Sequence, residues 1–277
     1  MPLPLWARAL RRADRVAWYA YHAHEILRDE LLFAWLRPEH WSELTVEAYS
    51  DLATYLPGGS TFEGGLFGWE QAMLAREQIP KSGRVLLAAA GGGRELKALA
   101  ERGYEVVAFE PNARLFAGAS AVAAQHDGTR LLRASYRDLL GAVHGSGPLQ
   151  DLARSTFHWI LLGWGSFTHV TDPEDRRTIL RSLRTLCPGA PIALSFFLRR
   201  PSDSVKSRSD RLRAVLRAGM HRLGGSAERE PGLGYEFSGG FVHSFTKDEF
   251  DDLAESTGYR LLVWDDTAFP YAILAPR

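Results

Sequence analysis

Near its start the chain carries apolar residues at helical intervals, Leu10, Ala13, Ala17 and Ala20, then Leu27 and Leu31, with Arg, Asp, His and Glu between them. That spacing predicts an amphipathic helix. Its apolar stripe is expected to pack on a neighbouring domain, with a membrane surface as the alternative. Helical spacing continues through Trp41 to Leu56, where Pro57-Gly58-Gly59-Ser60 and Gly64-Gly65 predict a loop, and a further helix is predicted over residues 69–78. From Arg84 the pattern changes. Short apolar runs at 85–90, 106–110, 131–134, 159–162 and 192–198 alternate with segments of helical period, which predicts an α/β domain with a mainly parallel sheet. The run at 192–198 is apolar apart from Ser195, as suits a strand covered on both faces. Residues from Arg199 to about Gly240 break the rhythm with Arg, Ser and Gly and hold one predicted helix near 211–223, which reads as an insertion or lid. The rhythm resumes with a strand at 241–245, a helix at 247–256, and strands at 261–264 and 271–274. Too little sequence separates the last two for a crossover helix, so an antiparallel hairpin is expected at the sheet edge.

The expected architecture is therefore Rossmann-like: a mainly parallel seven-stranded sheet with helices on both faces and an antiparallel C-terminal edge strand. A helical cap over residues 1–80 precedes this domain, which spans 81–277 and carries the basic insertion at about 199–240.

Composition narrows the function classes. The 277 residues include 33 Lys plus Arg and 33 Asp plus Glu, so no whole-molecule field draws the chain to nucleic acid, and nucleic acid is not an expected partner. The basic run through Arg211, Arg213, Arg217 and Arg222, which begins at Arg199, Lys206 and Arg208, lacks the interleaved aromatics of single-strand binders. It reads as a solvated lid helix, with an anionic substrate as the alternative. The single cysteine, Cys187, excludes an intramolecular disulfide and cysteine-based zinc sites, and a reducing cytoplasm is the expected compartment. No uninterrupted apolar segment predicts a signal peptide or membrane span. His22 and His24 do not share a helix face and Asp265-Asp266 reads as a solvated turn, so no metal is expected.

The chemistry lies in the first turn of the α/β region. Between the apolar run 85–90 and the helix that Arg94 opens stand Gly91-Gly92-Gly93, a turn at which a ligand can approach bare backbone and the amides of a helix N-terminus. The second strand ends in Glu110, 17 positions beyond Gly93, where a carboxylate beside the turn can accept hydrogen bonds from both hydroxyls of a ribose. A dinucleotide turn requires a small residue at Leu96, and no triphosphate-cradling G-x-x-x-x-G-K-[S/T] occurs. A ligand with a ribose and no pyrophosphate fits best.

At this point the sequence resembles the class I S-adenosylmethionine-dependent methyltransferases over residues 67–277. Residues 84–95 are similar to that family's first motif, Glu110 to its ribose acid, Leu186-Cys187-Pro188-Gly189 to its post-helix motif, and Phe245 to Phe250 with Gly258 to Leu261 to its closing helix and strand. The resemblance implies that Ala89, Gly91, Gly93, Glu110 and Pro111 contact S-adenosyl-L-methionine and that Ser135 and Tyr136 stand on its adenine side; from their place after the fourth strand, Gly163 is expected to allow close backbone approach and Trp164 to wall the cofactor. The chain departs from the family at Leu87, where an acid is usual, and at Ala89, where a glycine usually begins the turn. The segment Gly163-Trp164-Gly165-Ser166-Phe167-Thr168-His169 falls at the carboxyl end of the sheet, and His169 is its general-base candidate because imidazole titrates near neutrality. Its alternative is a structural hydrogen bond near a helix start. Tyr235 and His243 are candidates to face the substrate, against packing in the core. The aromatic residues of the N-terminal helices either cap an apolar pocket or pack in the core.

The expected activity is methyl transfer to an oxygen or nitrogen of a small organic molecule, leaving S-adenosyl-L-homocysteine. A nicotinamide-dependent (NAD(P)) oxidoreductase and a non-catalytic S-adenosylmethionine-binding protein are the alternatives. Oligomeric state stays open.

Overall fold

A computed structural model describes residues 4–199, 208–225, 235–237 and 240–277. Lys206 and the side chains of Arg208 and Tyr235 lie outside the described residues. The first helix, α1 (Leu5–Trp35), runs uninterrupted because no Gly or Pro falls inside it, and Pro38 begins α2 (Pro38–Ser50) at the position where a missing N–H costs nothing. A 3₁₀ turn (Ala53–Tyr55), α3 (Ser60–Glu63) and α4 (Gly68–Ala75) lead to the sheet.

The α/β region then proceeds as β1 (Arg84–Ala88), α5 (Arg94–Ala100), β2 (Glu105–Phe109), α6 (Ala113–Ala123), β3 (Thr129–Leu132), α7 (Asp138–Val143), β4 (Trp159–Leu162), α8 (Pro173–Leu186) and β5 (Ile192–Ser195). After α9 (Arg208–Arg222) come β6 (Tyr235–Phe237), β7 (Phe241–His243), α10 (Lys247–Ser256), β8 (Tyr259–Asp265) and β9 (Tyr271–Pro276). The seven-stranded sheet has the order β3-β2-β1-β4-β5-β9-β8. The first five of these are parallel, while β9 pairs antiparallel with both β5 and β8, so the C-terminal hairpin forms the edge.

Alternation along the strands places two cores on opposite faces. Leu86, Ile160 and Leu194 meet α8 and α10 through Leu180 and Phe250, and Val85, Leu87 and Trp159 meet α4, α5 and α6 through Met73, Leu96 and Val122. The order reverses between β1 and β4, which opens a crevice at the carboxyl ends of the strands.

Several expectations change. The apolar stripe of α1 does not pack on a neighbouring domain, since Leu10, Ala13, Ala17, Ala20, Leu27 and Leu31 are all exposed. The run at 241–245 does not enter the main sheet: β7 pairs with β6, and Phe241 stacks on Trp41 with ring centroids 4.8 Å apart, beside Phe33 of α1. Apolar burial against the N-terminal helices, with pairing to β6, thus takes the place of pairing in the main sheet. The run at 192–198 leaves strand geometry after Ser195, although Leu198 still bridges Phe245. The basic insertion is not simply solvated, because Arg217 donates to both oxygens of buried Glu30 at 3.0 Å and Arg213 lies 3.3 Å from buried Asp29. Helix α9 is thereby anchored to α1 by charges that α1 has removed from water.

Candidate active site

A cavity of about 530 Å³ occupies the crevice. Every one of the first five strands of the chain delivers residues to its lining just beyond its carboxyl end: Ala89 after β1, Glu110 after β2, Ser135 after β3, Trp164 after β4 and Phe197 after β5. The other wall comes from the N-terminal segment, chiefly Thr45, Val46 and Tyr49 of α2, with Tyr55 and Phe62.

The glycine turn is built by several distinct constraints. Ala89 has φ 53°, a left-handed conformation unfavourable for any residue with a Cβ. This is the position at which the resembling family places its glycine. Gly91, at φ 56°, has open space where a Cβ would stand, and its N–H donates to Glu110 Oε2 at 2.8 Å. Gly92 serves the cap: a Cβ there would lie 1.9 Å from the carbonyl oxygen of Tyr55. Gly92→Ala is expected to push the Tyr55 segment away and cost about 1–3 kcal/mol, read as a lower denaturation midpoint with an unchanged slope. Gly93 and Gly163 do not line the cavity. The first lets α6 approach, since its Cβ would sit 3.0 Å from the Ala119 Cα, and the second lets β4 meet the turn, since its Cβ would lie 2.5 Å from the Ala89 oxygen.

Glu110 is buried at the end of β2. Gly91 N–H and Asn112 N–H each donate to one of its oxygens at 2.8 Å, yet burial outweighs them and raises its pKa to about 7. Pro111 lines the cavity but stands just before the N-cap of α6 and not in its first turn. Asn112 is that cap, accepting from Arg114 N–H and Leu115 N–H while its own amide reaches Val46 O and Ser50 Oγ of α2. Ser135 is fixed by Asp138, whose carboxylate accepts from its N–H and Oγ–H as α7 begins. Tyr136 is hydrogen-bonded to Ser166 Oγ at 2.7 Å and sets its ring edge to face against Phe109.

His169 lies in the cavity wall with Tyr49. Its Nδ1 is 2.8 Å from the Phe241 carbonyl oxygen, which can only accept, so Nδ1 carries the proton. Nε2 is therefore the acceptor for the Tyr49 hydroxyl at 2.9 Å. Burial lowers the His169 pKa and raises that of Tyr49, so at neutral pH the imidazole is uncharged and the phenol protonated. Tyr49 and His169 are 120 positions apart, and nothing in the sequence near Tyr49 marks it.

His243 does not line the cavity: it is buried on β7 with its ring edge-on to Phe245 and Nε2 3.5 Å from Glu249. Tyr235 pairs with it across the small sheet. Beneath the glycine turn, Arg94 donates to both oxygens of Glu70, to Glu95 and to Gly65 O, and its guanidinium lies 4.5 Å from the ring centre of Phe67. Among the described residues no group of His, Cys, Asp and Glu is arranged to hold a metal, and no helix is long and apolar enough to cross a membrane.

No protein-family model matches the sequence, and a search of curated protein sequences finds no relative. Solved structures do match. A SAM-dependent methyltransferase from Methanosarcina mazei is 18% identical, with 77% of this chain and 98% of that one covered and a TM-score of 0.51. A SAM-bound amino pentose methyltransferase from Micromonospora echinaspora, involved in calicheamicin biosynthesis, is 14% identical over 79% of this chain and 94% of its own, with a TM-score of 0.52. A Leishmania major SAM-dependent methyltransferase is 16% identical over 87% and 85%, with a TM-score of 0.51. The chain has the Rossmann-like fold that these methyltransferases share, with its crevice at the carboxyl ends of the parallel strands.

Proposed function

We propose that the chain is an S-adenosylmethionine-dependent methyltransferase that methylates an oxygen or nitrogen of a small organic molecule. Glu110 carries the reading: it is a buried carboxylate beside a glycine turn, in a cavity large enough for a nucleoside and a small acceptor. The residues present fit the cofactor. Open space at the Gly91 Cβ position admits a ligand to bare backbone, and the Glu110 carboxylate beside it in the cavity lining supports a role in accepting hydrogen bonds from two ribose hydroxyls. A pyrophosphate fits poorly, because Arg94 is taken up by two carboxylates and Glu95 adds negative charge to the cavity lining. That disfavours a nicotinamide dinucleotide. The fold shared with an amino pentose methyltransferase supports a small-molecule acceptor.

Bound S-adenosylmethionine supplies a methyl group activated by its sulfonium. The chain's own part is binding, alignment and proton removal. Glu110 orients the ribose end, Ser135 and Tyr136 border the adenine side, and Trp164 walls the middle of the cavity. Helix α2 covers the opening and limits water. An acceptor O–H or N–H gives its proton to Tyr49 Oη as the Tyr49 proton moves to His169 Nε2. The Phe241 carbonyl holds the imidazole in the tautomer that receives it.

Calorimetric titration with S-adenosylmethionine tests this reading, and an absence of saturable binding overturns it. Glu110→Gln is expected to weaken binding by about 1–3 kcal/mol through lost charge-assisted hydrogen bonds. Both ribose hydroxyls need an ionised carboxylate. Because burial holds the Glu110 carboxyl at about 7, affinity should be full above that pH and fall by up to about tenfold per unit below it. A flat profile between about pH 8 and pH 6 would remove Glu110 from the ribose site.

A further inference from the structure

We infer that α1 is a dimerisation helix that packs along its length against α1 of a second copy of this chain, the two running antiparallel. The body buries only Ile26, Asp29, Glu30 and Phe33 of this 31-residue helix, which is about 46 Å long. The side turned away from those residues carries a seam. Leu10, Ala13, Ala17, Ala20, Leu27 and Leu31 recur at alternating steps of three and four, with His24 filling the remaining step and Trp6 beginning the series. Steps of three and four are the two-per-heptad pattern of a helix–helix seam, narrower than the face of a helix that only covers a core. Trp6 is 71% exposed, Leu10 55% and Leu31 40%, so the protomer leaves the seam uncovered.

Size and charge select the partner and its direction. In an antiparallel pair centred between Ala20 and His24, Leu27 meets Ala17 of the second copy, Leu31 meets Ala13 and Ala34 meets Leu10. Every large side chain then faces a small one, as interdigitated layers require. Parallel pairing would set Ala against Ala and Leu against Leu. The large half of the seam already borders a mainly apolar groove of about 520 Å³ lined by Leu27, Leu31, Leu32, Trp35 and Leu36 with His24 and Arg28. Asp14 and Arg28 flank the same edge of the seam; Arg28 holds buried Asp29 of its own protomer at 2.9 Å and is still part-exposed, and the antiparallel arrangement brings it near Asp14 of the second copy, twice per dimer. A lipid surface fits the seam less well, because three alanines and a histidine at its centre offer little apolar area to insert while they allow two helix backbones to approach closely; the exposed Val16, Trp18, Tyr19 and Tyr21 lie outside the seam.

Sedimentation equilibrium on the full chain should give twice the 30.9 kDa chain mass. Ala17→Glu and Ala20→Glu lie at exposed positions of the protomer, so each should halve the mass without changing the circular dichroism of the protein. A wild-type chain at the single mass overturns the inference. So does a monomer that co-sediments with phosphatidylserine vesicles, which would assign the seam to lipid. Cys187 is buried, so introduced thiols report direction. A mixture of Ala20→Cys and His24→Cys chains should cross-link between unlike chains under mild oxidant. Linkage of Ala20→Cys to itself, or no linkage, overturns the antiparallel register.

Discussion

His169→Asn is expected to slow turnover by about 10²–10⁴ while leaving S-adenosylmethionine affinity within about twofold, as the proposed role of general base, with no hold on the cofactor, requires. Asparagine can still donate to the Phe241 carbonyl, so the substitution removes the Nε2 acceptor and spares the backbone contact that joins the 3₁₀ turn at Ser166–His169 to β7. Tyr49→Phe should reproduce most of the loss, because the phenol is the group through which Nε2 reaches the cavity. The two effects should not add, since each substitution breaks the same proposed relay. The pH profile separates this role from a structural one. Burial holds the imidazole below the usual histidine range, so the acid limb of kcat should lie below about 6.5 and should vanish in His169→Asn. A variant that turns over at the wild-type rate would remove the pair from the chemistry.

Arg94→Leu should cost about 3–5 kcal/mol at neutral pH, read from chemical denaturation. Arg94, Glu70 and Glu95 are all buried, and the guanidinium is the cation between the two carboxylates. Its removal leaves two negative groups in low dielectric and strips the hydrogen bond from Gly65 O. Burial already raises the Glu70 pKa even with Arg94 present. Without the guanidinium that pKa rises further. An acid whose folded pKa exceeds its unfolded value favours folding below the unfolded value, about 4.5, and loses that contribution as pH rises through the folded one. The deficit of the variant should therefore shrink between about pH 7 and pH 5. A deficit independent of pH would mean that packing against Phe67 and Trp164, and not charge, is what Arg94 supplies.

Local chemistry determined much of this protein before any tertiary contact is considered. The alternation of apolar runs with helical segments specifies the Rossmann-like sheet, because strand and helix periods are local properties of the chain. Helix α10 spans Lys247–Ser256 as its spacing predicts, with Thr246 and Glu249 closing a capping box at its start. The positions of Gly91, Glu110 and His169 in the lining of the crevice were equally legible, since each lies beyond a strand end whose position the pattern gives. The rest needed the folded chain. Tyr49 joins His169 only because α2 folds over the crevice, and Gly92 needs its missing side chain because Tyr55 arrives from 37 positions earlier in the chain. The run at 241–245 has the composition of a sheet strand and is drawn instead to Trp41 and Phe33, because aromatic burial against the N-terminal helices competes with strand pairing and sequence spacing records neither partner. Arg213 and Arg217 of α9 look solvated in sequence and become the part-exposed half of a charge cluster once buried Asp29 and Glu30 are brought to them. Periodicity shows which side of an element seeks cover; what covers it is set by contacts between residues far apart in the chain, and these exist only in the tertiary structure.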